Sequence, residues 1–149
     1  MEKYYYSYKE FVKDTKELIK KSKDYNADVL LGIARGGLTL GHFMGEALNT
    51  RSVYTLNSIH YEGTKKLNTF EIFNIPDLTK ASKVLILDDI VDSGETMVEI
   101  LKVLRQKFPL VEFKLATIFY KKTALLQPDF TVKEATQWID FFWEADVRI

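Results

Sequence analysis

The sequence predicts an α/β fold, a parallel sheet flanked by helices, on three observations. Short apolar runs of strand length recur along the chain. Amphipathic segments with helical spacing lie between them. The two kinds of segment alternate, and a helix between strands is the usual crossover joining parallel strands.

Ser7-Tyr8-Lys9-Glu10 opens the first helix as a capping box, Ser7 accepting from the backbone and Glu10 reaching back. Phe11, Thr15, Leu18 and Ile19 continue it to about Lys23. Val29 to Ala34 reads as a buried strand broken by Arg35-Gly36-Gly37. Leu40, Phe43, Met44, Ala47 and Leu48 then mark one face of a second helix. A strand is expected from Val53 to Ser58, a polar loop over 59–68, and an edge strand from Thr69 to Ile75 before Pro76. Val84-Leu85-Ile86-Leu87 is the clearest buried strand, and Met97, Ile100, Leu101 and Leu104 mark the helix after it. Phe113 to Tyr120 reads as a further strand, followed by a loop to Asp129 and a short aromatic segment from Trp138 to Trp143. No linker or internal repeat divides the chain, so residues 1–149 are expected to form one domain.

Composition narrows the function classes. Lys+Arg and Asp+Glu both number 21, so there is no basic excess of the kind nucleic acid attracts. The absence of cysteine removes disulfides, cysteine-based zinc sites and a thiol nucleophile. No window approaches the roughly 18 apolar residues of a membrane span, and MEKYYYSYKE lacks the apolar stretch of a secretory signal. A cytoplasmic protein without nucleic-acid or membrane partners is expected.

The chemistry concentrates in VLILDDIVDSGET, residues 84–96. In an open α/β sheet, ligands bind beyond the carboxyl ends of the strands, and Asp88 and Asp89 stand at such an end. Two adjacent carboxylates there need partners, and vicinal hydroxyls or a hard cation would serve. Asp92-Ser93-Gly94-Glu95-Thr96 then leads into a helix N-terminus, whose amides form an anion site. Gly94 permits close approach, and Ser93 and Thr96 carry hydroxyl donors. The combination suits a phosphorylated sugar. A receiver domain also places paired acids after an apolar strand, but near its N-terminus. Here only 149−89 = 60 residues follow the pair, too few for the units that would have to come after it.

This segment closely resembles the motif with which type I phosphoribosyltransferases bind PRPP (phosphoribosyl pyrophosphate). The resemblance implies the single-domain type I phosphoribosyltransferase fold with a small C-terminal hood segment. It implies that Asp88 and Asp89 hold the ribose hydroxyls, with Asp89 also near Mg²⁺, and that Asp92 to Thr96 wrap the 5′-phosphate. Adenine and orotate enzymes of the family carry Ala or Thr where this chain has Asp92. The 6-oxopurine enzymes carry Asp, which can relay the purine N7 proton. Gly32 to Gly37 resembles the family's pyrophosphate loop, implying phosphate contacts from Arg35 and Gly36 and a cis peptide at Ala34–Arg35. The strand ending in Lys121 resembles the one whose lysine donates to the purine O6, with Lys122 as the adjacent alternative. Trp138-Ile139-Asp140 resembles the C-terminal segment of the xanthine–guanine branch. It implies that Trp138 stacks on the purine and that the Ile139 carbonyl meets its 2-position.

One departure concerns the hood loop, where relatives carry Ser-Tyr and this chain has His60-Tyr61. Lys65 and Lys66 of the same loop are read as solvated. The implied ligands are therefore PRPP, Mg²⁺ and a 6-oxopurine base, in a homo-oligomer, dimer or tetramer. The competing reading is a non-catalytic regulator on the same fold that senses PRPP or nucleotides.

Overall fold

The computed structural model describes residues 2–61 and 69–149. A six-stranded sheet runs in the order β4-β3-β2-β5-β6-β7. Its strands are β2 (Val29–Ala34), β3 (Val53–Tyr61), β4 (Thr69–Phe73), β5 (Lys83–Val91), β6 (Glu112–Tyr120) and β7 (Phe130–Glu134). All neighbours are parallel except β4, which closes the β3 edge antiparallel. A separate two-stranded parallel sheet joins β1 (Lys3–Tyr6) to β8 (Trp138–Phe141). The helices are α1 (Tyr8–Ser22), α2 (Gly36–Ala47), α3 (Glu95–Lys107) and the short α4 (Phe142–Ala145).

The helices cover both faces of the large sheet, as the sequence predicts. Alternate residues of one strand enter opposite cores because successive side chains point to opposite faces. Leu31, Ile33 and Ile86 join the α3 residues Met97, Ile100, Leu101 and Leu104 on one side. Leu30, Leu85 and Leu87 join Phe11 and Leu18 of α1 and Leu40 and Met44 of α2 on the other. The capping box at Ser7 and Glu10 forms in full, with both reciprocal bonds present.

One expectation needs correction. The loop expected over 59–68 does not begin at Ile59, because β3 continues through His60 and Tyr61. There His60 pairs with Phe70 and Tyr61 with Thr69. The His60 ring stacks on Phe70 at 4.4 Å, which makes a polar-looking segment a good strand partner. Residues 62–68, including Lys65 and Lys66, lie outside the described residues. The C-terminal segment pairs with the N-terminal strand, β8 lying against β1. No helix among the described residues is long and apolar enough to cross a membrane.

Candidate active site

The strand order reverses direction between β2 and β5: from β2 the chain moves outward to β3, and from β5 it moves the other way to β6 and β7. A crevice opens at such a switch point, beyond the carboxyl ends of the two strands. The loop after β2 carries Arg35 and Gly36, and the end of β5 carries Asp88 to Thr96. Topology therefore brings the two anion-binding candidates together although they are far apart in sequence.

The β2–α2 turn is held flat against β5. A Cβ on Gly37 would lie 2.2 Å from the Leu87 carbonyl oxygen, and one on Gly36 would lie 2.3 Å from Asp89 Oδ2. At Gly37 the obstacle is backbone, so only glycine fits; at Gly36 it is a side chain. The Ala34–Arg35 peptide is cis. Arg35 and Gly36 line a cavity of about 570 Å³ with Thr39, Glu144 and Arg148.

Asp88 and Asp89 fall within β5, which continues through Ile90 to Val91. The Asp89 amide donates to Asp88 Oδ1 at 2.9 Å, and the Ile90 amide donates to Asp89 Oδ1 at 2.8 Å. Burial, and then the neighbouring Asp89 charge, push the Asp88 carboxyl well above the usual range. Burial likewise pushes Asp89 up to about 6, against the hydrogen bonds that favour its charged form. A half-buried acidic pair of this kind is short of positive charge.

Beyond it, Asp88, Asp92, Ser93, Gly94 and Thr96 line a cavity of about 160 Å³ at the start of α3. Gly94 adopts a left-handed conformation, φ 87°, and has no side chain with which to cap the helix. The Ser93 hydroxyl accepts from the Glu95 amide at 3.2 Å. The loop is stitched to the next one: the Leu125 amide donates to the Ser93 carbonyl at 2.8 Å, and the Lys121 amide to the Val91 carbonyl at 3.1 Å. A Cβ at Gly94 would meet the Leu126 nitrogen at 2.9 Å.

A second cavity, of about 180 Å³, is lined by Asp89, Ile90, Asp92, Lys121, Gln137, Trp138, Ile139, Phe141 and Glu144. Every residue expected to touch a purine thus lines one space. Lys121 Nζ meets Asp92 Oδ1 at 2.8 Å. Lys122 instead reaches Glu134 at 3.7 Å, on the far side of the turn. The amide of Gln127 donates to the Lys121 carbonyl at 3.0 Å and holds that turn. Trp138 is 55% exposed, an aromatic face open to solvent, whereas Ile139 is buried beside it. Asp140 does not line the cavity and pairs with Arg148 at 3.1 Å.

These features were compared with known proteins. The pattern of the Phosphoribosyl transferase domain matches residues 3–148. The chain belongs to the phosphoribosyltransferase family. It is similar in structure to the Helicobacter pylori xanthine-guanine-hypoxanthine phosphoribosyltransferase, with a TM-score of 0.92 and 39% identity over 99% of this chain and 97% of that one. A purine phosphoribosyltransferase from Pyrococcus horikoshii superposes with a TM-score of 0.83 at 28% identity, covering 97% of this chain and 95% of that one. The xanthine-guanine phosphoribosyltransferase of Idiomarina loihiensis is 26% identical over 97% of this chain and 89% of its own length.

In this phosphoribosyltransferase, sequence reasoning left four cavity residues without a role. Gln137 and Glu144 flank the Trp138-Ile139 segment, and Ile90 and Phe141 supply apolar wall. Glu144 lines both this cavity and the one at Arg35. Its signal in the sequence is only an acid one turn beyond an aromatic run. His60 lies across from the phosphate loop, its Nε2 4.0 Å from Glu95 Oε2.

Proposed function

We propose that this phosphoribosyltransferase serves purine salvage. It transfers the 5-phosphoribosyl group of PRPP to N9 of a 6-oxopurine (xanthine, guanine or hypoxanthine), releasing pyrophosphate and forming the nucleoside 5′-monophosphate. The observation that carries this reading is the Lys121–Asp92 pair in the cavity of Trp138. A 6-oxopurine presents an acceptor, O6, beside the proton-bearing N7. An ammonium and a carboxylate side by side complement that edge. A 6-aminopurine presents donors where Lys121, which can only donate, would stand. The printed names of the relatives point to the same bases.

In the mechanism, the 5′-phosphate sits on Ser93, Gly94, Glu95 and Thr96 at the α3 N-terminus. Asp88 and Asp89 accept from the ribose hydroxyls, and Arg35 and Gly36 hold the pyrophosphate. The purine stacks on Trp138 and is read by Lys121 and the Ile139 carbonyl. As N9 bonds to C1′ and the C1′–O bond to pyrophosphate breaks, positive charge develops on the ribose. The protein contributes positioning and electrostatic complementarity rather than a covalent nucleophile. Asp92 takes the N7 proton. His60 and Tyr61 end β3, with His60 near Glu95, and are proposed to help exclude water.

The residues fit a magnesium ion. Asp88 and Asp89 are hard oxygen donors, and burial, which raises both carboxyl pKa values, makes an added positive charge favourable beside them. When bound, Mg²⁺ neutralises charge on the departing pyrophosphate. Asp89 is its proposed protein ligand. A cytoplasmic setting and a homo-oligomer, dimer or tetramer, complete the proposal; light scattering measures the latter.

The test is a spectrophotometric assay with PRPP, Mg²⁺ and hypoxanthine, guanine, xanthine, adenine or orotate in turn. Turnover of 6-oxopurines alone is expected. PRPP binding without turnover of any base would overturn the enzymatic reading in favour of a ligand sensor.

A further inference from the structure

The strand that carries Trp138 and Ile139 is not part of the main sheet. Its strand neighbour is β1, paired from Lys3↔Trp138 to Tyr6↔Phe141. An isolated two-stranded sheet is marginal in water, so something must hold this one at a constant distance from Lys121, which follows β6. Tyr6 is the residue placed to do so. It is fully buried. Its ring packs edge-on against Phe119 of β6 at 4.9 Å and Phe141 of β8 at 5.8 Å. Phe119 lies two residues before Lys121, and Phe141 lines the cavity that holds Trp138. The Tyr6 hydroxyl donates to Asp14 Oδ2 on α1 at 2.6 Å. Lys133 of β7 reaches the same oxygen at 3.0 Å, and its ammonium lies 5.6 Å from the Tyr6 ring centre. Asp14 is itself buried.

We propose that Tyr6, locked by Asp14 and Lys133, is a positioning residue for the purine: it sets the gap between the Trp138–Ile139 strand and Lys121. The inference rests on the purine reading of the cavity. A buried carboxylate hydrogen-bonded by a phenol and paired with an ammonium is a directional anchor, unlike apolar packing, which tolerates small slides. The phosphate end of the site, built from the β2–α2 turn and the β5–α3 loop, has no contact with this anchor in the interactions above. Loosening it should therefore be felt by one substrate and not the other.

The experiment is steady-state kinetics of wild type and Tyr6→Phe with PRPP and hypoxanthine, varied separately, beside thermal melts. Tyr6→Phe keeps the ring and removes the bond to Asp14. The expected result is a KM for hypoxanthine raised about tenfold, the scale of a charge-assisted bond, with the KM for PRPP and kcat within about twofold of wild type. A melting temperature that falls while both KM values stay put, or both KM values rising together, would show a merely structural residue and overturn the proposal. Should Tyr6→Phe fail to fold, Tyr5→Phe takes its place. Tyr5 is half exposed and donates to Asp146 at 2.9 Å, tying β1 to the segment after α4. There the same split is expected at smaller amplitude, and unchanged constants would overturn the proposal. Wild-type turnover with an unshifted hypoxanthine KM in the variant sinks this inference alone. Absence of wild-type turnover sinks the functional reading, and this inference with it.

Discussion

Lys121 and Asp92 face each other as an ion pair at 2.8 Å in the cavity lined by Trp138 and Ile139. Their side chains are 38% and 62% exposed, so the pair adds at most about 1 kcal/mol to stability. Its value lies in what enters between the two groups. Asp92→Asn keeps the shape and removes the base. Turnover of hypoxanthine should fall by roughly 10²–10⁴-fold, while PRPP binding and the melting temperature stay near wild type. Calorimetric PRPP titration beside the kinetic assay checks this. Unchanged turnover would remove Asp92 from the mechanism.

Gly36 and Gly37 are adjacent but should fail differently. At Gly37 an added methyl meets the backbone carbonyl of Leu87 at 2.2 Å, which cannot move without lifting α2 from β5. Gly37→Ala should cost roughly 1–3 kcal/mol, or about 2–4 °C per kcal/mol in a chain of this size. At Gly36 the obstacle is the Asp89 carboxylate, which can rotate away. Gly36→Ala should melt close to wild type yet bind PRPP weakly. Equal losses of stability in the two variants would contradict this account.

The acidic pair makes a prediction about pH. An ordinary carboxyl in the unfolded chain gives up its proton near pH 4. Asp88 and Asp89 hold theirs to higher pH, Asp89 to about 6. Between those limits the folded protein binds more protons than the unfolded chain, so stability falls as pH rises. Without ligands, the melting temperature should decline from pH 4 through 6 beyond the trend of other groups. Asp88→Asn should flatten the decline and raise the melting temperature at pH 7 while abolishing turnover. PRPP with Mg²⁺ should raise the wild-type melting temperature most at neutral pH. A variant less stable than wild type at pH 7 would reject the idea.

Trp138 is expected to act through its open face. More than half exposed, it has little core packing to lose. A base stacked on an aromatic ring is worth roughly 1–3 kcal/mol, so Trp138→Ala should raise the KM for the purine about 5–150-fold with the PRPP KM unchanged. Base titrations of the variant measure the loss directly.

Much of this was legible in the sequence, and the reason differs by residue. The run from Val84 to Thr96 is continuous, so its strand, acids, loop and helix could be read in place. Arg35 and Gly36 sit in a plain strand–turn–helix pattern that says little alone; what singles them out is their place upstream of that run. The strands β1 and β7 were not legible. Lys3–Tyr6 has no clean alternation, and Phe130–Glu134 mixes apolar and polar residues. Both exist because a partner strand is waiting, β8 for one and β6 for the other. His60 and Tyr61 were read as loop because polarity suggested it, whereas Phe70 opposite His60 makes that end of β3 a strand. Glu144 joins the cavity only because β8 and α4 fold back across the switch point, a long-range event that no local spacing encodes.

The two backbone bonds from Leu125 to Ser93 and from Lys121 to Val91 have an energetic corollary. They splice the loop proposed for the sugar phosphate to the turn that presents Lys121. A ligand that orders one would then help to order the other. The free energy by which PRPP tightens the hold on the purine must equal that by which the purine tightens the hold on PRPP. Any coupling between the two substrates would have a route through main-chain atoms, which side-chain substitutions leave in place.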